Sequence, residues 1–87
     1  MEIQNVRVKN KTGLHLRPAS LIVAIAKKFR SRISLRYHGR QADGESILEV
    51  LALGAKKDAD IAIIAEGPDE HQAIVQIREL FNDGAGI

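Results

Sequence analysis

A proline at position 18 opens a long apolar helical pattern, and it constrains where a loop ends and a helix begins. Proline is favoured at the first helical position, because its φ suits the helix and its missing N–H would have no partner there. The sequence therefore predicts a helix from Arg17 or Pro18 to about Lys28. It places His15 at, or just outside, the N-terminus of that helix.

This placement gives His15 and Arg17 a candidate chemical role. A helix N-terminus carries unpaired backbone N–H groups and the positive end of the helix dipole, so it binds phosphate and other anions. The planar guanidinium of Arg17 adds donors that match phosphate oxygens. Since a neutral imidazole nitrogen can attack phosphorus, His15 is a candidate phosphoryl acceptor and Arg17 a candidate phosphate-stabilising group. An ordinary N-cap histidine beside a solvated arginine is the alternative that this short string leaves open.

Other segments predict four strands and two further helices. The strands are expected at residues 3–8, 31–37, 40–43 and 60–66, from alternating or continuously apolar patterns. Ser46 and Glu49 form a capping-box pattern before a short helix that ends near residue 53. Asp69 and Gln72 form a second such pattern before the last helix, which the glycines at 84 and 86 end. The order β-α-β-β-α-β-α predicts an α+β open-faced β-sandwich, a four-stranded antiparallel sheet with helices packed on one face.

Composition limits the class of protein. The 87 residues suffice for one small core, so we expect residues 1–87 to form a single domain. The chain has no cysteine, and its three histidines lack a metal-ligand spacing, so no metal or cofactor is expected. The polar N-terminus and the short apolar runs predict a cytoplasmic protein with no signal peptide and no membrane span.

Charge is distributed unevenly along the chain. Residues 1–40 hold ten of the 13 Lys and Arg residues, and residues 41–87 hold ten of the 11 acids. A basic region near His15 favours an acidic protein partner, and it also raises the alternative of a small nucleic-acid-binding α/β domain. The aromatic residues are Phe29, Tyr37 and Phe81, and the two phenylalanines lie on predicted buried stripes. Because this leaves no stacking platform, we expect no nucleic-acid partner.

Three segments match known motifs in order. They are Gly-Leu-His-Leu-Arg-Pro-Ala-Ser at 13–20, Glu-Ser-Ile-Leu-Glu-Val-Leu-Ala-Leu-Gly at 45–54, and Ala-Glu-Gly-Pro-Asp-Glu at 65–70. Together they resemble HPr, the histidine-containing phosphocarrier family of the phosphoenolpyruvate-dependent phosphotransferase system. The resemblance implies an HPr-like fold and phosphorylation of His15 by enzyme I. It further implies transfer to EIIA-type acceptor proteins, so the chain would be a monomeric carrier and not an enzyme.

The resemblance also implies a regulatory site and a partner-binding surface. Ser46 matches the residue that an HPr serine kinase/phosphatase modifies in members that have this enzyme. Apolar and small residues would form the partner-binding surface around His15: Leu16, Ser20, Ile47, Leu48 and Leu51.

Three residues depart from the family pattern. Glu45 stands where many members carry a lysine before the serine, so acids surround Ser46. Leu16 replaces a small residue or threonine, and Glu49 replaces a basic or neutral residue, which points to altered partner choice. The segment Glu-Leu-Phe-Asn-Asp-Gly at 79–84 resembles the nitrogen-related branch, whose carriers serve regulatory proteins. Sugar transport and nitrogen regulation thus both remain open from the sequence.

Overall fold

The computed structural model describes residues 1–83, which form four strands and three helices. In chain order the elements are β1 (Glu2–Arg7), α1 (Leu16–Lys28), β2 (Arg32–Tyr37), β3 (Arg40–Asp43), α2 (Ile47–Ala52), β4 (Asp60–Glu66) and α3 (Glu70–Asn82). The predicted order is confirmed, and the strands at 40–43 and 60–66 have the predicted bounds, while the other elements are shifted by one or two residues. The predicted stop at Gly84 and Gly86 lies outside the described residues.

All four strands form one antiparallel sheet in the order β1-β4-β2-β3. Strand β4 lies between β1 and β2, and its Ile63 is paired with Gln4 on one side and Leu35 on the other. Because Ile61, Ile63 and Ala65 alternate with more exposed neighbours, β4 turns one apolar face towards the helices. The sheet therefore has β4 in its interior and β3 at an edge.

The helices cover one face of the sheet. Helix α3 packs on β1 and β4, while α1 contacts both α2 and α3. Each long helix buries a stripe spaced by three and four residues: Ala19, Ile22, Val23 and Ala26 in α1, and Ala73, Ile74, Ile77 and Phe81 in α3. The uncovered face of the sheet carries exposed side chains such as Ile3, Arg32 and Arg36. This is the predicted α+β open-faced sandwich.

The predicted capping box of α2 is formed only in part. Ser46 Oγ accepts a hydrogen bond from the Glu49 N–H at 3.2 Å, as expected for an N-cap. The Glu49 carboxylate, however, accepts from the Asp43 N–H at 2.9 Å and not from the Ser46 N–H. The turn has already satisfied the Ser46 N–H, which donates to the Asp43 carbonyl oxygen at 3.0 Å. Glu49 therefore ties the end of β3 to α2.

The predicted capping box of α3 is wrong. Asp69 is the N-cap by position, but its side chain makes no capping hydrogen bond. Its carboxylate accepts instead from the N–H groups of Arg30 and Ser31, both at 2.9 Å, and from the Ser31 hydroxyl. These bonds, led by that of the hydroxyl, lower the pKa of Asp69. The residue thus fastens the start of α3 to the connection between α1 and β2.

Candidate functional site

Helix α1 begins at Leu16, so Pro18 is its third residue and not its first. The first intrahelical bond runs from the Ala19 N–H to the His15 carbonyl oxygen at 3.1 Å. All N–H groups before Ala19 lack an intrahelical acceptor, which makes proline equally harmless at any of the first three positions. The prediction of proline at the first helical position is therefore wrong by two residues, while His15 stands at the predicted junction.

His15 is the N-cap residue of α1. Its backbone is extended, with φ −102° and ψ −169°, and its side chain makes no capping hydrogen bond. The side chain is half-buried. The ring is thus held at the helix N-terminus without being engaged in capping, which leaves it available for chemistry.

The loop before His15 is held by backbone contacts. The Leu14 N–H donates to the Ala55 carbonyl oxygen at 2.9 Å, and the His15 N–H donates to the Gly13 carbonyl oxygen at 3.0 Å. The side-chain amide of the buried Asn10 also donates to the Gly13 carbonyl oxygen. Gly13 has φ +72°, and a Cβ there would lie 2.5 Å from the Ala55 oxygen. Only glycine allows this close approach of the two loops.

The start of α1 has the properties of an anion site. The N–H groups of Leu16 and Arg17 precede the first intrahelical bond, so they have no partner within the helix. The first turn contains no acidic residue. Arg17 is exposed and takes part in none of the ion pairs formed among residues 1–83. A phosphoryl group on His15 would therefore meet backbone donors and a guanidinium that has no competing carboxylate partner.

A shallow cleft of about 590 Å³ lies beside His15. Its lining consists of His15, Leu16, Arg17, Ser20 and Leu21. Leu16 is 61% exposed, and the Ser20 hydroxyl donates to the Leu16 carbonyl oxygen at 2.8 Å. The structure thus brings together both predicted site residues and two of the five predicted partner-binding residues.

The three remaining partner-binding residues lie on α2. Leu48 is 80% exposed, whereas Ile47 and Leu51 are partly buried and pack against the core. Helix α2 contacts α1, the helix that begins at Leu16. Ser46 caps α2 and lies outside the cleft lining, among the acidic residues Asp43, Glu45 and Glu49.

Leu21 falls beside the buried stripe of α1 and lines the cleft. Sequence reasoning missed two other contributors to the site. Ala55 holds the loop from a position distant in sequence, and Asn10 holds it from a neighbouring one. The glycine at 13 was a signal that some backbone approaches closely there, but nothing local identified Ala55 as that partner.

The other histidines have separate surroundings. His71 Nδ1 lies 3.0 Å from a Glu2 carboxylate oxygen, and His38 stacks on Tyr37 at a turn, with 3.9 Å between the ring centroids. Within residues 1–83, no group of three or more His, Cys, Asp or Glu side chains could hold a metal ion. In the same part of the chain, no helix is long and apolar enough to cross a membrane.

Comparison with known families gives one match over most of the chain. The family model for the "PTS HPr component phosphorylation site" matches residues 3–83. HPr proteins of this family are phosphocarriers that work with enzyme I and EIIA proteins.

Solved structures give the same assignment. HPr-C-His from Thermoanaerobacter tengcongensis is 36% identical, with a TM-score of 0.94, covering 100% of this chain and 98% of that chain. The histidine-containing phosphocarrier protein of Mycoplasma is also 36% identical, with a TM-score of 0.91 and coverages of 99% and 98%. Crh of Bacillus subtilis, described as a dimer with a swapped domain, is 32% identical, with a TM-score of 0.77 and coverages of 97% and 97%. The chain belongs to the HPr family of phosphocarrier proteins of the phosphotransferase system.

Proposed function

We propose that this chain is a single-domain cytoplasmic phosphocarrier whose acceptor is a ring nitrogen of His15. It takes a phosphoryl group from phosphorylated enzyme I and passes it to an EIIA-type protein. The observation that carries the proposal is the His15 ring itself, which stands at the N-terminus of α1 with no capping role. Two backbone N–H groups without intrahelical partners adjoin it.

Each transfer exchanges one bond to phosphorus for another. On loading, the lone pair of a His15 ring nitrogen attacks phosphorus, and the bond between phosphorus and the donor breaks, its electron pair leaving with the donor. On unloading, a nucleophile of the acceptor attacks, and the bond between phosphorus and His15 breaks. The carrier contributes positioning and electrostatic stabilisation, and its partners complete each site.

Arg17 stabilises the charge of the phosphoryl group in this proposal. Its support is the exposed guanidinium in the first turn of α1, at the anion-binding end, without a competing ion pair among residues 1–83. We expect Arg17→Ala to fold normally and to slow both transfers, because a charge-assisted contact to phosphate is lost. Stopped-flow or quench measurements of transfer rates check this, and unchanged rates would remove Arg17 from the mechanism.

The partner-binding surface combines the cleft with the exposed face of α2. Leu16 and Leu48 are large apolar side chains left mostly exposed, one on each of two contacting helices. Exposed apolar groups around a reactive centre are typical of a protein docking surface. Ser20 belongs to this surface because it lines the cleft, and Ile47 and Leu51 belong to it through the parts of their side chains that remain exposed.

Ser46 is the site for an HPr serine kinase/phosphatase in the same proposal. Its support is the partly exposed position of Ser46 at the N-terminus of α2. The surrounding carboxylates act against it, because a phosphate there would face the like charges of Asp43, Glu45 and Glu49. Treatment of the protein with such a kinase and ATP, with Ser46→Ala as the control, measures whether Ser46 is phosphorylated despite these carboxylates.

A monomer is the proposed oligomeric state. Strand β1 pairs with β4 of the same chain along its full length, from Glu2 with Ala65 to Arg7 with Asp60. The alternative is a dimer, the state described for the relative with a swapped domain. Sedimentation at several concentrations separates the two, since a monomer keeps one mass throughout and a dimer dissociates on dilution.

The first test is intact-mass analysis after incubation with phosphoenolpyruvate and the cognate enzyme I. The expected result is a gain of one phosphoryl group that is lost in acid and absent from His15→Ala. The matched control is a variant at an exposed histidine away from the cleft, His38→Ala, which should be labelled like the wild type. Labelling of folded His15→Ala would contradict the assignment of the acceptor, and no labelling of the wild type by its own enzyme I would contradict the function.

A further inference from the structure

The turn after α2 packs directly against the loop that carries His15. The Ala55 carbonyl oxygen accepts from the Leu14 N–H at 2.9 Å. The Cα of Lys56 lies 2.9 Å from the position that a Cβ on Gly13 would occupy. The backbone of Lys56 is therefore adjacent to the acceptor loop, because Gly13 has no side chain to separate them.

From this position the Lys56 ammonium can reach a phosphoryl group on His15. Adjacent Cα atoms lie about 3.8 Å apart, so the His15 Cα is at most about 7.6 Å from that of Gly13. An extended lysine side chain spans roughly 6 Å from its Cα, judged from its bond lengths. The Lys56 side chain is exposed, and it takes part in none of the ion pairs among residues 1–83. Its charge is thus free to pair with an added anion.

The turn is a fixed platform for this charge. The Ala59 N–H donates to the Lys56 carbonyl oxygen at 3.0 Å, closing the turn. The Asp58 N–H donates to the Val8 carbonyl oxygen at 2.7 Å, and Asp58 has φ 70°, a conformation that aspartate tolerates better than most residues. These bonds fix the turn, so the backbone of Lys56 keeps its position beside Gly13.

We infer that Lys56 is a second cation that contacts the phosphoryl group on His15, from the side of the loop, while Arg17 contacts it from the helix. This inference rests on the proposed function of His15. It assigns a phosphate-contacting role to a residue outside the three motifs that carry the family resemblance. The role applies to the phosphorylated state, in which the added negative charge supplies the partner that Lys56 lacks otherwise.

The test is a phosphorus NMR titration of the phosphorylated protein and of two variants, Lys56→Ala and Lys57→Ala. Lys57 is the matched control, since it is the next residue of the same turn, exposed and of the same charge. Removal of a contacting cation should raise the pKa of the phosphoryl group in Lys56→Ala and leave it unchanged in Lys57→Ala. The acceptance rate from enzyme I should fall about two- to fivefold in Lys56→Ala only, the range for an exposed charge pair. Lys56→Arg should restore both readouts.

Three results would overturn the inference. Equal shifts in the two alanine variants would mean that only the total charge matters. A slower transfer in Lys56→Ala with an unchanged phosphoryl pKa would mean that Lys56 contacts the partner protein and not the phosphate. A wild-type protein that carries no phosphoryl group on His15 would end the proposed function itself, a result that the mass measurement identifies before any Lys56 variant is made.

Discussion

The carboxylate of Asp69 accepts hydrogen bonds from both the backbone N–H and the hydroxyl of Ser31, a residue 38 positions away. One side chain thus joins the start of α3 to the connection between α1 and β2. The acceptor must be ionised for the full set of bonds, which is why these contacts lower the pKa of Asp69. Stability and protonation are therefore linked at this position.

Acid should weaken the fold through this contact. Because the pKa of Asp69 is lower in the folded state, its stabilisation is complete above the unfolded value of about 3.8 and is lost as pH falls through the folded value. Asp69→Asn should reduce the free energy of unfolding at neutral pH and flatten its decline in acid. Urea denaturation over this pH range measures both, with Glu79→Gln as a control on the exposed side of α3. An unchanged acid profile in Asp69→Asn would contradict the linkage.

Replacement of Gly13 by alanine should cost more than a backbone preference alone. Both Gly13 and Gly39 have positive φ, +72° and +76°, but a Cβ meets backbone atoms only at Gly13. Gly39→Ala is therefore the matched control, expected to lose about 1–2 kcal/mol through its conformation. Gly13→Ala should lose more than this and should also slow phosphoryl acceptance, because the loop moves away from Ala55. Equal losses in stability would show that the loops separate at no cost.

Charge around Ser46 should determine how the protein tolerates a negative group there. Ser46→Ala should lose about 1 kcal/mol, since the cap to the Glu49 N–H disappears. Ser46→Asp keeps a capping oxygen but adds charge beside the Glu49 carboxylate. Glu49→Gln retains an acceptor for the Asp43 N–H, so it should stabilise Ser46→Asp more than it stabilises the wild type. A double-mutant cycle by urea denaturation gives this coupling, and additive effects would contradict it.

Leu48 and Val50 should separate binding from stability within one helix. Leu48 is 80% exposed, so Leu48→Ala should leave the free energy of unfolding nearly unchanged and weaken binding to enzyme I. Val50 is fully buried, so Val50→Ala should lose about 2 kcal/mol. Calorimetric titration with enzyme I and denaturation of each variant give the two quantities. Normal binding by Leu48→Ala would place the docking surface elsewhere.

Local patterns were enough to predict the elements of this fold. The β-branched segment at 60–66 became the central strand because both of its sides are paired and its inward face is covered. The N-cap position of His15 followed from the adjoining helix pattern, although Pro18 is the third residue of the helix and not the first. Proline identifies the first turn of a helix but not the residue within it, since the first N–H groups are all without intrahelical acceptors.

Contacts between distant segments could not be predicted in the same way. The Asp69 and Gln72 pattern is typical of a capping box. The Asp69 carboxylate instead accepts from the N–H and the hydroxyl of Ser31, which only the tertiary fold brings close to it. The approach of Ala55 to Gly13 is likewise a product of packing between two loops 42 residues apart. Local signals therefore predicted the position of His15, the proposed acceptor, while the residues that hold its loop in place required the structure.

The central position of β4 bears on how the protein is made. A ribosome adds His15 before it adds Ala55, which contacts the loop, and before it completes the strand that joins β1 to β2, which ends at Glu66. Because these pairings are remote in sequence, the sheet cannot close on a partly synthesised chain. His15, the proposed acceptor, thus acquires its ordered surroundings only after β4 has been synthesised, so a product that stops before β4 would contain the motif without the contacts that orient it.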